Sequence, residues 1–182
     1  MLGACTGTPP VTKEVSIVPI TNHLEETNGA FVLKSNTSIG VIDAELIPAA
    51  EYLADMLSRA TGYDLKVKEG EGTITLALGD VQGKEGAYTL TAESDKVNIT
   101  GNSYGGVIAG IESLRQLFPP QIESKEIVKG TDWAIPAVNI QDAPRFEWRG
   151  IMLDVSRHFN TKIGRAHVCT PVTSRSRMTS SA

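Results

Sequence analysis

Residues 144–159 constrain the fold of this chain more than any other stretch. The uncharged residues 150–153 read as a short buried strand, and polar side chains bracket it. These are Arg149 in front and Asp154, Ser156, Arg157 and His158 behind. A strand buried on both faces belongs to a parallel sheet or barrel, and such folds present their sites at the strand ends. The stretch therefore predicts the beginning of a barrel or parallel sheet, with a candidate site beside it.

The composition fits a globular protein and excludes several classes of function. The chain of 182 residues is 41% hydrophobic and 21% charged, and its net charge is −4 without any basic run, so nucleic acid is not an expected partner. No apolar run approaches the roughly 18 residues that a membrane-spanning helix needs. Cys5 and Cys169 have neither CxxC nor metal-site spacing. We therefore expect no metal and no cofactor.

Two helices are predicted before residue 120. The first follows Asp43, a candidate N-cap, and ends at Gly62, although Pro48 places its true start a few residues after the cap. The second runs from about Ser103 to Leu117. Their apolar side chains recur at spacings of three and four, which gives each helix one buried face. These side chains are Leu46, Ala50, Leu53, Ala54 and Leu57 in the first helix, and Val107, Ile108, Ile111, Leu114 and Leu117 in the second.

Strand-like segments alternate with these helices. Candidates are residues 16–20, 38–42, 63–67 and 73–78, and residues 88–91 and 97–100 form a predicted antiparallel hairpin. Asn28-Gly29 indicates a second hairpin, between residues 22–26 and 31–33. A strand at 133–140 is expected at a sheet edge because it contains Pro136. The predicted fold class is α/β (α+β), a mixed sheet with both helices on one face.

Residues 142–158 also carry a specific motif. They read D-x-P-R-F-x-x-R-G-x-x-L-D-x-S-R-H, which closely resembles the first barrel strand of glycoside hydrolase family 20, the family of the β-N-acetylhexosaminidases. The resemblance implies an accessory domain at 15–120, a linker with edge strands at 121–143, and the start of a catalytic (β/α)8 barrel at 144–161. The chain would then hold only the first strand of a truncated TIM barrel.

The resemblance also implies roles for single residues. Arg149 matches the arginine that hydrogen-bonds hydroxyls of the non-reducing sugar, although an ion pair with Asp142 or Glu147 is the alternative. Asp154, Arg157 and His158 would form a supporting polar network, with a general-base role for His158 as the sharper alternative. The family's reaction is retaining and substrate-assisted, and it needs an adjacent Asp-Glu pair. This chain contains no Asp-Glu dipeptide, so no catalytic residue is assigned.

The two ends of the chain give further expectations. Residues 2–5 resemble a bacterial lipobox, so Cys5 is expected to be a lipidation site. Residues 1–14 would then be a lipobox remnant and tether without its signal peptide. The expected location is the bacterial cell envelope. Residues 162–182 contain no acidic residue and resemble translated sequencing adapter, so a non-native tail is expected; a genuine basic, Ser-rich tail is the alternative.

Two classes of function remain open on these grounds. The first is a fragment of a β-N-acetylhexosaminidase that acts on N-acetylhexosamine-containing glycans and is inactive by itself, because the Asp-Glu pair is missing. The second is an envelope lipoprotein that binds glycans without hydrolysing them. A barrel glycosidase of another family is a third reading, against which the run at residues 153–158 argues.

Overall fold

A computed structural model describes residues 15–146 together with Trp148 and Gly150. The chain divides into two compact units, residues 1–147 and residues 148–182. All of the secondary structure reported below belongs to the first unit. The second unit contributes two described residues, of which Trp148 is exposed.

Within the described part of the first unit, residues 23–142 form one sheet of seven strands. In chain order they are β1 (His23–Val32), β2 (Ser38–Val41), β3 (Lys66–Glu69), β4 (Ile74–Leu78), β5 (Tyr88–Ala92), β6 (Val97–Gly101) and β7 (Ala134–Asp142). Their spatial order is β1-β7-β5-β6-β4-β2-β3. Pairing is parallel from β3 through β2 and β4 to β6, and antiparallel from β6 through β5 and β7 to β1. The sheet is mixed, as predicted.

Helix α1 spans Ile47–Thr61, and its start and end follow the predicted signals. A 3-10 turn at Ala44–Leu46 separates it from Asp43, and Pro48 lies in its first turn. Asp43 does not cap the turn with its side chain; instead its Oδ2 accepts a hydrogen bond of 2.7 Å from the backbone N–H of Leu78 on β4. Gly62 ends the helix in the left-handed region, where glycine carries no steric penalty.

Helix α2 spans Tyr104–Leu117, and Ser103 is its N-cap. The Ser103 Oγ accepts a hydrogen bond of 3.2 Å from the backbone N–H of Gly106, which satisfies one donor of the first turn. A 3-10 turn at Pro120–Glu123 follows. Ile108 is only partly buried, so it lies beside the predicted stripe and not within it.

Both helices pack on the same face of the sheet, as predicted. Helix α1 contacts β2 and β3, α2 contacts β4, β5 and β6, and the two helices touch each other. A single apolar core lies between these layers, and its largest fully buried side chains include Phe31, Leu53 and Leu114. The opposite face of β5 and β6 carries half-buried polar residues, in keeping with the predicted hairpin.

The loop between β3 and β4 crosses over β2 at one point. Because β2 lies between these two strands, residues 70–73 must pass over it to connect them. The crossing occurs at Gly40, where an added Cβ would lie 2.3 Å from both Gly70 O and Gly72 N. Only glycine fits there, so the crossing fixes the order of the three strands.

Three strand predictions were wrong. Residues 16–20 form no strand. Asn28-Gly29 makes no hairpin, because β1 continues through it with a shift in register between Glu26 and Ala30. Finally, β7 is not an edge strand, since it lies between β1 and β5. Pro136 is tolerated because β7 extends past β5 there: pairing to β5 stops at Val138, and Pro136 faces only β1.

Candidate functional site

The residues predicted to bind substrate or to support it lie outside the described part of the chain. Arg149, Asp154, Arg157 and His158 belong to this group, as does the predicted lipidation site Cys5. Their roles stay predictions from the motif. The residues that lead into the motif are described, and they show how the chain leaves the sheet.

The exit from β7 is tied to the segment that precedes β1. Asp142 Oδ1 accepts a hydrogen bond of 3.0 Å from the backbone N–H of Asn22, and Asn22 Nδ2 donates to the carbonyl of Ala143 at 3.2 Å. Two residues later, Arg145 Nη2 donates to the carbonyl of Ile20 at 3.1 Å. These three bonds hold the first residues of the motif, 142–145, against the segment before β1. Phe146, the next motif residue, is exposed.

The segment before β1 is held from its other side by α2. The backbone N–H of Val18 donates to Gln116 Oε1 at 2.8 Å, and Gln116 Nε2 donates to the Val18 carbonyl at 3.2 Å. Val18 and Ile20 nevertheless remain largely exposed, at 74% and 77%. The backbone hydrogen bonds at Val18 therefore act together with the burial of Ile17 and Thr21, which are 6% and 8% exposed, to order this segment.

A cleft of about 460 Å³ lies on the sheet face opposite the helices. Its floor is a row of polar side chains on four neighbouring strands, and the loop at residues 80–82 forms its wall. The row consists of His23, Gln141, Thr89 and Thr100, which are direct partners across β1, β7, β5 and β6. We call this the sheet-face cleft. It was not predicted from the sequence.

One asparagine holds the loop that forms the cleft wall. Asn102 Nδ2 donates to the carbonyl of Lys84 at 2.9 Å, while Asn102 Oδ1 accepts from the backbone N–H of Gly86 at 3.0 Å. The loop also touches the chain after β7, because a Cβ added to Gly83 would lie 3.0 Å from Ala143 Cβ. At the other end of the wall, the backbone N–H of Gly79 donates to the carbonyl of Gly101 at 3.0 Å, so the protein itself holds the wall on both sides.

The Gly-rich residues 101–106, which precede α2, have a structural role. An added Cβ on Gly101 would lie 2.5 Å from the backbone N of Val107, and one on Gly106 would lie 2.5 Å from the Ala87 carbonyl oxygen. The glycines allow α2 to approach β6 and the β4–β5 loop closely.

The charges outside the cleft include a network that joins both helices to the second 3-10 turn. Tyr52 on α1 donates to Glu112 Oε1 at 2.6 Å, Arg115 Nη1 donates to Glu112 Oε2 at 3.0 Å, and Arg115 Nε donates to Glu123 Oε1 at 2.6 Å. The hydrogen bond to Glu123 raises the pKa of Arg115 and lowers that of Glu123. The bond to Glu112, then burial, raises the pKa of Tyr52. The network is structural, since each member is paired with another.

Neither a metal site nor a membrane span emerges from residues 15–146. No three His, Cys, Asp or Glu side chains of this part of the chain are grouped so that they could hold an ion. None of its helices is long and apolar enough to cross a bilayer.

Comparison with known proteins places the fold in a family. The family model for glycosyl hydrolase family 20, domain 2, matches residues 14–143, which include the whole seven-stranded sheet and both helices. The chain belongs to glycosyl hydrolase family 20. The family predicted from the sequence is thereby confirmed.

Curated family 20 proteins match more of the chain than the domain model does. The beta-hexosaminidase of Porphyromonas gingivalis is 35% identical over 156 residues, which is 83% of this chain and 20% of that protein. The beta-N-acetylhexosaminidase of Cellulomonas fimi is 33% identical over 155 residues, covering 81% of this chain and 30% of that protein. The chain therefore spans only a fifth to a third of the length of these relatives.

Solved family 20 structures share the fold. The N-acetyl-beta-hexosaminidase of Streptomyces plicatus superposes with a TM-score of 0.73 at 34% identity, covering 79% of this chain and 29% of that one. The GH20 beta-N-acetylhexosaminidase of Streptomyces coelicolor gives a TM-score of 0.71 at 35% identity, covering 77% of this chain and 28% of that one.

Proposed function

We propose that this chain is the N-terminal part of a longer exo-acting β-N-acetylhexosaminidase. The longer protein would release terminal N-acetylglucosamine or N-acetylgalactosamine from glycans. The observation that carries the proposal is the 35% identity to a beta-hexosaminidase over 83% of the chain. That alignment includes more of the chain than residues 14–143 of the domain match, so likeness to hexosaminidases is not confined to the sheet domain.

The chemistry proposed for the longer protein is retaining and substrate-assisted. The 2-acetamido oxygen of the sugar attacks the anomeric carbon, so no enzyme carboxylate serves as nucleophile. An adjacent Asp-Glu pair orients the acetamido group and supplies the general acid and base. Since this chain has no Asp-Glu dipeptide, we propose that the 182 residues alone hydrolyse nothing.

Arg149 is the residue of this chain that we propose to touch substrate. A guanidinium presents parallel N–H donors in a rigid fork, which suits two neighbouring hydroxyls of the non-reducing sugar. Arg149 follows Arg145 by four residues in the sequence, and the side chain of Arg145 is hydrogen-bonded to the carbonyl of Ile20. Asp154, Arg157 and His158 would support the end of the strand that carries Arg149.

The proposed location is the bacterial cell envelope, with a lipid on Cys5. Support comes from the sequence alone, in the small residues before Cys5 and in the Pro-containing tether at residues 6–11. Metabolic labelling with a fatty-acid analogue tests this in cells that express the gene with its upstream sequence. Label on the wild-type protein but not on Cys5→Ala is expected, and equal labelling of both overturns it.

The activity is tested on the longer protein with a panel of aryl β-glycosides. We expect hydrolysis of the N-acetylglucosaminide or the N-acetylgalactosaminide and none of the glucoside, because the glucoside lacks the acetamido nucleophile. Equal rates on glucoside and N-acetylglucosaminide would contradict the substrate-assisted chemistry. No hydrolysis of any N-acetylhexosaminide would contradict the proposed function itself.

A further inference from the structure

We propose that the sheet-face cleft is a binding site for a neutral saccharide. The proposal concerns residues 22–143 alone and does not depend on the hydrolase activity proposed above. Its cavity volume of about 460 Å³ lies within the range of small-molecule sites, about 300–1,000 Å³.

The floor of the cleft offers hydrogen-bonding groups that the protein does not use. Within the part of the chain that the structure describes, the side chains of Thr89, Thr100 and Gln141 make no hydrogen bond to protein. The next polar row on the same face differs, because there Thr91 Oγ1 donates to Asn139 Oδ1 at 3.4 Å. Hydroxyl and amide groups both donate and accept, as sugar hydroxyls do, so the floor matches a polyhydroxylated ligand.

The boundaries of the cleft are set before any ligand arrives. Asn102 anchors the loop on one side, and the pair of bonds between Asn22 and residues 142–143 holds the other. A ligand would then meet an ordered site, which reduces the entropy lost on binding. By contrast, an ordinary solvated sheet face has no such walls.

The charges of the cleft select against other ligands. Asp80 and Asp142 lie in its lining, and among the described residues no lysine or arginine does. Phosphates and other anions would therefore be repelled. Tyr88 also lines the cleft, but its ring is buried in the core, where its hydroxyl meets Ser113, so it presents no face to a ligand. Since no aromatic face is available for stacking, we expect weak binding, with a Kd on the order of 1–10 mM.

The test is a ¹H–¹⁵N NMR titration of the 182-residue chain with N,N′-diacetylchitobiose. We expect saturating shifts at the backbone amides of Thr89, Thr100 and Gln141, and none with inorganic phosphate. Thr89→Val removes a floor hydroxyl with little change of shape and is expected to weaken binding at least threefold. Thr91→Val is the matched control, because it lies on the same strand and face but outside the cleft, and its affinity should equal wild type.

Three results would overturn the proposal. They are absence of saturation, shifts that map away from the cleft, and equal effects of the two valine substitutions. The spectrum of each variant without ligand serves as the fold check. If Thr89→Val disturbs the spectrum of the free protein, Gln141→Ala, on the exposed floor, takes the place of Thr89→Val in the comparison with Thr91→Val. Phosphate shifting the same amides would overturn the assignment of a neutral ligand.

Discussion

Tyr88 and Ser113 share a buried hydrogen bond of 2.5 Å that joins β5 to α2. Both side chains are almost fully enclosed, and burial raises the pKa of Tyr88 while the bond to Ser113 works in the opposite direction. Because each hydroxyl satisfies the other away from water, the pair links the sheet to the helix layer at one fixed point.

Removal of either hydroxyl is expected to leave the other without its partner. Tyr88→Phe and Ser113→Ala should each lower the free energy of unfolding by about 1–2 kcal/mol. The double variant should lose less unfolding free energy than the two single variants added together, with a coupling energy of about 0.5–1.5 kcal/mol. Urea denaturation of the four proteins measures this cycle, and strict additivity would show that the two hydroxyls do not support each other.

The crossing at Gly40 makes a stronger prediction. Gly40→Ala would place a methyl group 2.3 Å from two backbone atoms of the β3–β4 loop. The clash can be relieved only if the loop moves away from β2. We expect a loss of at least about 3 kcal/mol of unfolding free energy, or failure to fold.

Gly105→Ala is the control for this substitution. Gly105 lies in the first turn of α2, and the nearest atom to an added Cβ there is Ser103 Oγ, at 3.9 Å. Alanine should be neutral or stabilising by up to about 1 kcal/mol, since it is the better helix former. Circular dichroism during thermal unfolding compares the two variants. A Gly40→Ala protein as stable as wild type would show that the crossing is misplaced.

The bond between Arg115 and Glu123 predicts a dependence of stability on pH. A carboxyl whose pKa is lowered on folding stabilises the fold at pH values above its ordinary pKa of 4.5. This stabilisation is lost as the pH falls through the pKa of the folded state. Glu123→Gln should therefore cost about 0.5–1 kcal/mol at pH 7, a modest amount because the pair is partly exposed. The difference from wild type should shrink as the pH falls below 4.5 and should vanish once the pH is below the lowered pKa of the folded state.

Glu93→Gln serves as the comparison for Glu123→Gln. Glu93 is paired with Lys96 at 3.6 Å, and both side chains are about half exposed. We expect a smaller change, within about 0.3 kcal/mol at pH 7. Urea titrations at several pH values follow both variants. A difference between Glu123→Gln and wild type that stays constant down to pH 3 would mean that the ion pair is not its source.

The sequence predicted those parts of the fold that depend on neighbouring residues. Both helices were found because Leu53 and Leu57, or Ile111 and Leu114, follow the helical period, and Gly62 ends α1 where expected. Pairing between distant strands leaves no such local signal. The turn-like Asn28-Gly29 lies inside β1, and the position of β7 depends on β1, more than 100 residues away, and on β5, about 50 residues away.

The candidate sites differ in the same way. Arg149 could be predicted as a substrate-binding residue because its motif is a contiguous run of sequence, and its role stays a prediction. The sheet-face cleft brings His23, Thr89 and Gln141 into one row only when β7 lies between β1 and β5. The alternation along β5 indicates a polar face, but nothing in the sequence indicates the neighbours that turn that face into a cleft.

Arg149 gives a prediction for the longer protein. Arg149→Lys keeps the charge but loses the planar fork that would hold two hydroxyls. We expect kcat/KM for an aryl N-acetylglucosaminide to fall by about 10²-fold, equivalent to about 2.7 kcal/mol of transition-state binding. Lys129→Arg is the matched control, since Lys129 lies in a loop of the first unit and should leave kcat/KM unchanged. Full activity of Arg149→Lys would assign Arg149 to the ion pair with Asp142 or Glu147.

The central claim is that this chain belongs to a hexosaminidase whose catalytic carboxylates lie outside its 182 residues. The most direct measurement is release of 4-nitrophenol from its N-acetyl-β-D-glucosaminide and N-acetyl-β-D-galactosaminide, by the 182-residue chain and by the longer protein side by side. We expect turnover by the longer protein and none above background by the chain. Turnover by the chain alone, or an inert longer protein, would contradict the claim.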